Sequence, residues 1–195
     1  NYIDGWHFVF EEFDNLSYAK IAEQLDGKNG TSVDIIDLNE DEGVYVTDFD
    51  PKNTGMGAFQ FTPAGDADGT SDTEPSRRKG VYIPRTVLDK DILITVPVIK
   101  THQSVGTTLF MKNFIGCVHS TSYDPQVVHK GVFHKGSDFN LARGIVDLTS
   151  VIQPDYGVAE GFWAVESHHH GQRGIGINHN VVVAGGDVIA AEAVT

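Results

Sequence analysis

The chain has a single cysteine, Cys117, in 195 residues. No internal disulfide can form from one thiol, and no iron–sulfur cluster that needs four cysteine ligands can be held within this chain. Basic residues are also scarce, with 14 Lys plus Arg against 27 Asp plus Glu and a formal net charge of −13. That balance argues against nonspecific binding to nucleic acid or to an anionic membrane surface. Long apolar runs are missing too: none approaches the roughly 18 residues that a helix needs to span a bilayer. No signal peptide is visible. The sequence opens at Asn1 without Met and stops at Thr195 inside what reads as a helix just begun. The expectation is therefore a fragment of a longer protein, for which a cytoplasmic and an exported location are not distinguishable.

What is present is enough for one domain with a real core. Apolar stretches separated by turn residues and amphipathic runs predict an α/β fold, a mostly parallel or mixed sheet flanked by helices in a single domain over residues 1–195. An aromatic start, with Tyr2, Trp6, Phe8, Phe10 and Phe13, precedes a short amphipathic helix. That helix carries Leu16, Ala19, Ile21, Ala22 and Leu25, with Asn15 as its cap and Gly27 past its end. Val33 to Leu38 reads as the next strand. An irregular, acidic, glycine-rich excursion follows over about 39–80. It contains short strands at Val44–Val46 and Phe59–Phe61, and its two calcium-like clusters lack the full ligand spacing. A further strand is expected at Val81–Ile83.

The run DILITVPVIKTHQSVGTTLFMKNFIG, residues 91–116, is the centre of the reading. Its first part is apolar and β-branched without alternation, which predicts a strand covered on both faces. Pro97 cannot donate a ladder hydrogen bond, so the strand ends near Val96 or is bulged there. Lys100, Thr101 and His102 then reach the carboxyl end of the strand, the edge at which open α/β sheets bind ligands. Gly106, Thr107 and Thr108 are read as the opening of a helix to about Phe114, bearing Lys112 and Asn113. The amino end of that helix would face an anion. Lys100, His102 and Lys112 are the catalytic candidates, with Thr101, Thr107 and Asn113, and further along the chain Asp147 and Glu160, as the ligand-binding residues. His102 has an ordinary pKa of about 6.5, which suits acid–base work near neutrality.

Beyond Gly116 the region of about 117–136 is irregular and bears His119, His129 and His134 with Lys130 and Lys135. A loop of that length inside a compact domain is usually either functional or disordered. A helix with the stripe Phe139, Leu141, Ile145, Leu148 and Ile152 comes next and is ended by Pro154. Its Asp147 lies beside the apolar stripe and needs a partner if buried, for which Lys100 or Lys112 would serve. A short strand from Tyr156 leads to Glu160. His168 and His170, with Glu166 or Glu160, have the donor composition of a divalent metal site, although three consecutive histidines also suit a solvated turn. Asn180 to Ala184 reads as a buried strand, and Gly185-Gly186-Asp187 as a tight turn into a last helix.

Five segments in order, VPVIKTH, GTTLFMKNFIG, IVDLTSVIQPD, EGFWAVE and VVVAGGDVIAAEAV, resemble the family of uncharacterised proteins known as DUF362 over roughly residues 33–195. The Lys-Thr-His and Lys-Asn-x-x-Gly pair is the most specific part. The resemblance implies that Asp147, Glu160 and Glu166 stand where the family has Asp-Leu, Asp-Gly and Met-Glu-Gly. It also implies that the histidine-bearing loop lies over the Lys100 and His102 site. Some members carry ferredoxin-like segments, which implies redox- or cofactor-linked chemistry. The reading is a protein of unassigned reaction that binds a small anionic substrate or cofactor, with a divalent metal. The alternative is a non-catalytic ligand- or metal-binding module, or a structural subunit in a homo-oligomer or larger assembly.

Overall fold

A computed structural model of the chain describes residues 16–46, 81–103, 105–119, 138–167 and 175–195. Two compact units are present, Asn1–Glu42 and Gly43–Thr195. In the first, helix α1 (Tyr18–Leu25) is capped by Ser17, whose hydroxyl accepts the Lys20 N–H at 3.2 Å. Ser17, rather than Asn15, is thus the cap, because it is the residue that holds an extended backbone one position ahead of the first turn. Val33 to Leu38 forms no strand. The Asp26 carboxylate takes the Val33 N–H, and Asp37 accepts the Asn39 N–H at 2.9 Å, a local turn that competes with a sheet ladder.

In the second unit, β1 (Gly43–Val46) and β2 (Val81–Pro84) pair antiparallel, which sets Tyr45 opposite Tyr82 with ring centroids 4.9 Å apart. A short helix, α2 (Arg85–Leu88), leads into the main sheet. That sheet is mixed and six-stranded, built around β6 (Tyr156–Glu166). On one side of β6 lie β3 (Ile94–Thr95) and β4 (Val98–His102), both parallel to it. On the other lie β7 (Ile175–Ile177) and β8 (Val181–Gly185), both antiparallel. β5 (Gly106–Thr108) closes the edge beyond β4. The α/β expectation with a mixed sheet and flanking helices is met.

Several elements differ from the sequence reading. The break expected near Val96 is there, but the strand resumes beyond Pro97 as β4. It is covered on one face only, with Ile94 56% and Val96 62% exposed while Thr95 is buried. Gly106, Thr107 and Thr108 are a strand, not a helix start. Gly106 has φ of 81° at the return of the chain, and two β-branched threonines follow in register with β4. The helix after it, α3 (Phe110–Asn113), is a single turn that continues as the 3₁₀ segment Phe114–Cys117. β6 runs on past Gly161 to Glu166, and β8 is an outer strand with Val181 and Val182 exposed, not a buried one. α4 (Asp138–Ile152) and α5 (Val188–Val194) stand where expected, α4 burying Leu141, Ile145, Leu148 and Ile152.

The core on the helical side of the sheet joins Leu109, Phe110, Ala159, Val188 and Ala191, with Ile99 and Val183 packed against it. Gly157 makes this closeness possible. A Cβ there would lie 2.5 Å from the Phe110 ring, so the missing side chain is the space the ring fills. Glu192 of α5 ties the two helices, its carboxylate accepting the Met111 N–H at 3.0 Å. Burial raises its pKa above the ordinary glutamate value, against the lowering pull of the Met111 and Phe110 N–H groups. Lys90 Nζ donates to the Ile152 carbonyl at 2.6 Å and so satisfies an orphan acceptor at the end of α4.

Candidate functional site

Pairing fixes which residues of β4 share a face. Ile99 packs into the helical core, so Lys100 and His102, which alternate with it, project from the opposite side of the sheet, while Thr101 shares the side of Ile99. Across the β4–β5 hairpin, Lys100 is paired with Thr108, Thr101 with Thr107, and His102 with Gly106. Lys100 is half-buried and His102 is 5% exposed. The Thr108 hydroxyl is buried beside this pair and has no hydrogen-bond partner among the described residues. In the sequence, Gly106-Thr107-Thr108 reads as a helix start, which hides this hydroxyl.

On the other flank, Val98 is paired with Glu160 and Lys100 with Val165, so β4 advances two residues while β6 advances five. The extra residues form a bulge. The Glu160 carboxylate holds it, accepting the N–H groups of Phe162 and of Trp163, the latter at 3.1 Å. A Cβ on Gly161 would meet the Ile99 and Val181 side chains at 2.8 Å, so the bulge is packed tightly on its inner side. Both aromatics beyond it are exposed, Trp163 at 67%. Trp163 stands two residues before Val165, the partner of Lys100, and Ala164 between them is buried. The sequence signal was present: an alternating strand broken at Glu-Gly and followed by two adjacent aromatics.

The other expected site residues are distributed differently. Lys112 and Asn113 stand on α3, the layer that packs on the Ile99 side of the sheet, and the Asn113 amide donates to Thr95 Oγ1 at 3.0 Å. A helix start facing Lys100 is absent from the described residues, because β5 occupies that stretch. Thr107 is exposed, and the Thr101 hydroxyl lies 3.4 Å from the Val165 carbonyl. Asp147 is 1% exposed on α4, on the face that packs toward the core. His119 is buried, its N–H donating to the Tyr82 carbonyl at 2.9 Å and its ring against Gly43.

For the metal set, Glu166 is exposed at the end of β6, and His168 and His170 lie outside the described residues, as do His129, Lys130, His134 and Lys135. Among the described residues, no group of three or more His, Cys, Asp or Glu side chains is gathered to hold a metal ion, and no helix is long and apolar enough to cross a membrane.

No curated protein and no solved structure matches the chain. The family model described as "Domain of unknown function (DUF362)" matches residues 30–195. The match takes in β1 to β8 and helices α2 to α5 of the described residues, including the β4–β5 hairpin and the bulge. The chain belongs to the DUF362 family.

Proposed function

We propose that the protein binds a small anionic substrate or cofactor on the sheet face that carries Lys100 and His102. The observation that carries this reading is the register of the β4–β5 hairpin, which lines up Lys100, His102 and Thr108 on one side of the sheet. In a chain of net charge −13, a half-buried lysine next to a histidine and an orphaned hydroxyl is a local reversal of sign with donors attached. Lys100 supplies the fixed positive charge and Thr108 a donor. His102 supplies a group able to take or give a proton. Redox- or cofactor-linked turnover would act on the ligand so held, with Glu166, His168 and His170 as the divalent metal ligands. A binding module without turnover would use the same anion contacts.

The test is calorimetric titration with acetate and with inorganic phosphate. Lys100→Met should weaken binding at least tenfold, since a charge-assisted hydrogen bond is worth about 1.5–3 kcal/mol. Equal affinity in Lys100→Met, with the fold intact by circular dichroism, sinks the reading. Metal content that stays unchanged in the double variant His168→Ala, His170→Ala removes the metal component.

A further inference from the structure

We infer that the ligand of this face is a planar aromatic anion, stacked on the indole of Trp163 with its negative group on Lys100, an assignment that rests on the anion reading above. Val165 is paired with Lys100, and Trp163, two positions earlier and separated from it by the buried Ala164, alternates onto the side of Val165. Trp163 is large, apolar and two-thirds exposed, in a place where an unbulged strand would have continued its alternation.

The exposure has a dedicated support. The two N–H groups at Phe162 and Trp163 are taken by the Glu160 carboxylate, so the backbone that carries the indole is pinned from within its own strand. Glu160 is thereby a positioning residue, turned to its own strand's backbone N–H groups. The face leading away from Lys100 is apolar as well, with Val98 of β4, Val96 between the strands and Ile94 of β3 following at alternate positions and all exposed. An aliphatic anion would leave the indole unused. A ring with an attached carboxylate or phosphate would satisfy the cation and the indole together, and base-like stacking on an aromatic side chain is sequence-tolerant and strong for its area.

The experiment is a calorimetric series of acetate, benzoate and 2-naphthoate, one negative charge each with growing ring area, on the wild-type chain. Affinity should rise at least tenfold from acetate to 2-naphthoate, about 1.4 kcal/mol. Trp163→Leu should abolish that rise while leaving acetate binding unchanged, and Trp163→Phe should restore most of it. Glu160→Ala should reduce the rise without touching acetate, and Glu160→Gln, which keeps the acceptor, should behave as wild type. Trp163 is mostly exposed, so its replacement leaves the core intact. A flat series with Lys100-dependent acetate binding overturns the aromatic assignment and leaves the anion site standing. Loss of all binding in the wild-type chain overturns both.

Discussion

Replacing Gly157 by Ala tests the packing that seats the helices on the sheet. The added Cβ would lie 2.5 and 2.7 Å from two carbons of the Phe110 ring and 3.2 Å from a Val188 methyl. Carbon atoms prefer 3.5–4.0 Å, so the ring must retreat by about 1 Å. Phe110 has no exposed surface and is hemmed in by Leu109, Ala159 and Val188, which leaves it nowhere to go without moving α3 or α5. Overpacking of this kind costs about 1–3 kcal/mol. Loss of the glycine's freedom in the unfolded chain returns about 0.4–1 kcal/mol, so at the middle of both ranges the net destabilisation should be about 1.3 kcal/mol. Urea unfolding followed by circular dichroism reads this directly: with a mid-range slope of about 2 kcal/mol/M, a net cost of about 1.3 kcal/mol should lower the midpoint by about 0.6 M. Gly176→Ala is the control, since nothing lies within 4 Å of its added Cβ, and it should be neutral or slightly stabilising. Phe110→Leu in the Gly157→Ala background should cost less than it does alone, because the two share one space. A Gly157→Ala variant as stable as wild type would refute the close approach of Phe110 to the sheet.

Lys90→Met removes the donor at the end of α4 but keeps most of the apolar stem. It should lower stability by about 1–2 kcal/mol, seen as a fall of about 2–8 °C in Tm; an unchanged Tm shows that the cap contributes nothing. Glu192→Gln tests the buried carboxylate. Its raised pKa means that the folded state holds the proton more firmly than the unfolded state, so its contribution is present at low pH and is lost as pH rises through the folded value. Gln keeps the oxygen that accepts the Met111 N–H, so the wild type should lose stability relative to the variant as pH rises above the ordinary glutamate range. A difference that is flat with pH, or slopes the other way, rejects the assignment of burial as the dominant cause.

Local signals were legible where neighbours agree with propensity. The stripe of α4 reads at helical spacing because one of its faces meets the core, and Asp187 caps α5 as its side chain chemistry demands, accepting the Ile189 and Ala190 N–H groups. The family segments were legible as well, since they are linear runs. The hairpin at Gly106 was not. Gly-Thr-Thr ahead of an apolar run is equally a helix start and a short strand, and only the ladder that β4 offers decides between them. Val33 to Leu38 failed in the opposite sense: its composition suits a strand, but a strand exists only where another strand takes its backbone groups.

Sequence alone determined the net negative charge, the single thiol, the α/β class and the run that ends in Lys100 and His102. Tertiary structure decided which side of the sheet those residues occupy and what stands beside them. The bulge held by Glu160 shifts the pairing of β6 by three residues and brings Val165 opposite Lys100. Alternation along a strand is a one-dimensional property that a sequence can display. Register between strands depends on backbone hydrogen bonds between residues some 60 positions apart, and no local pattern records it.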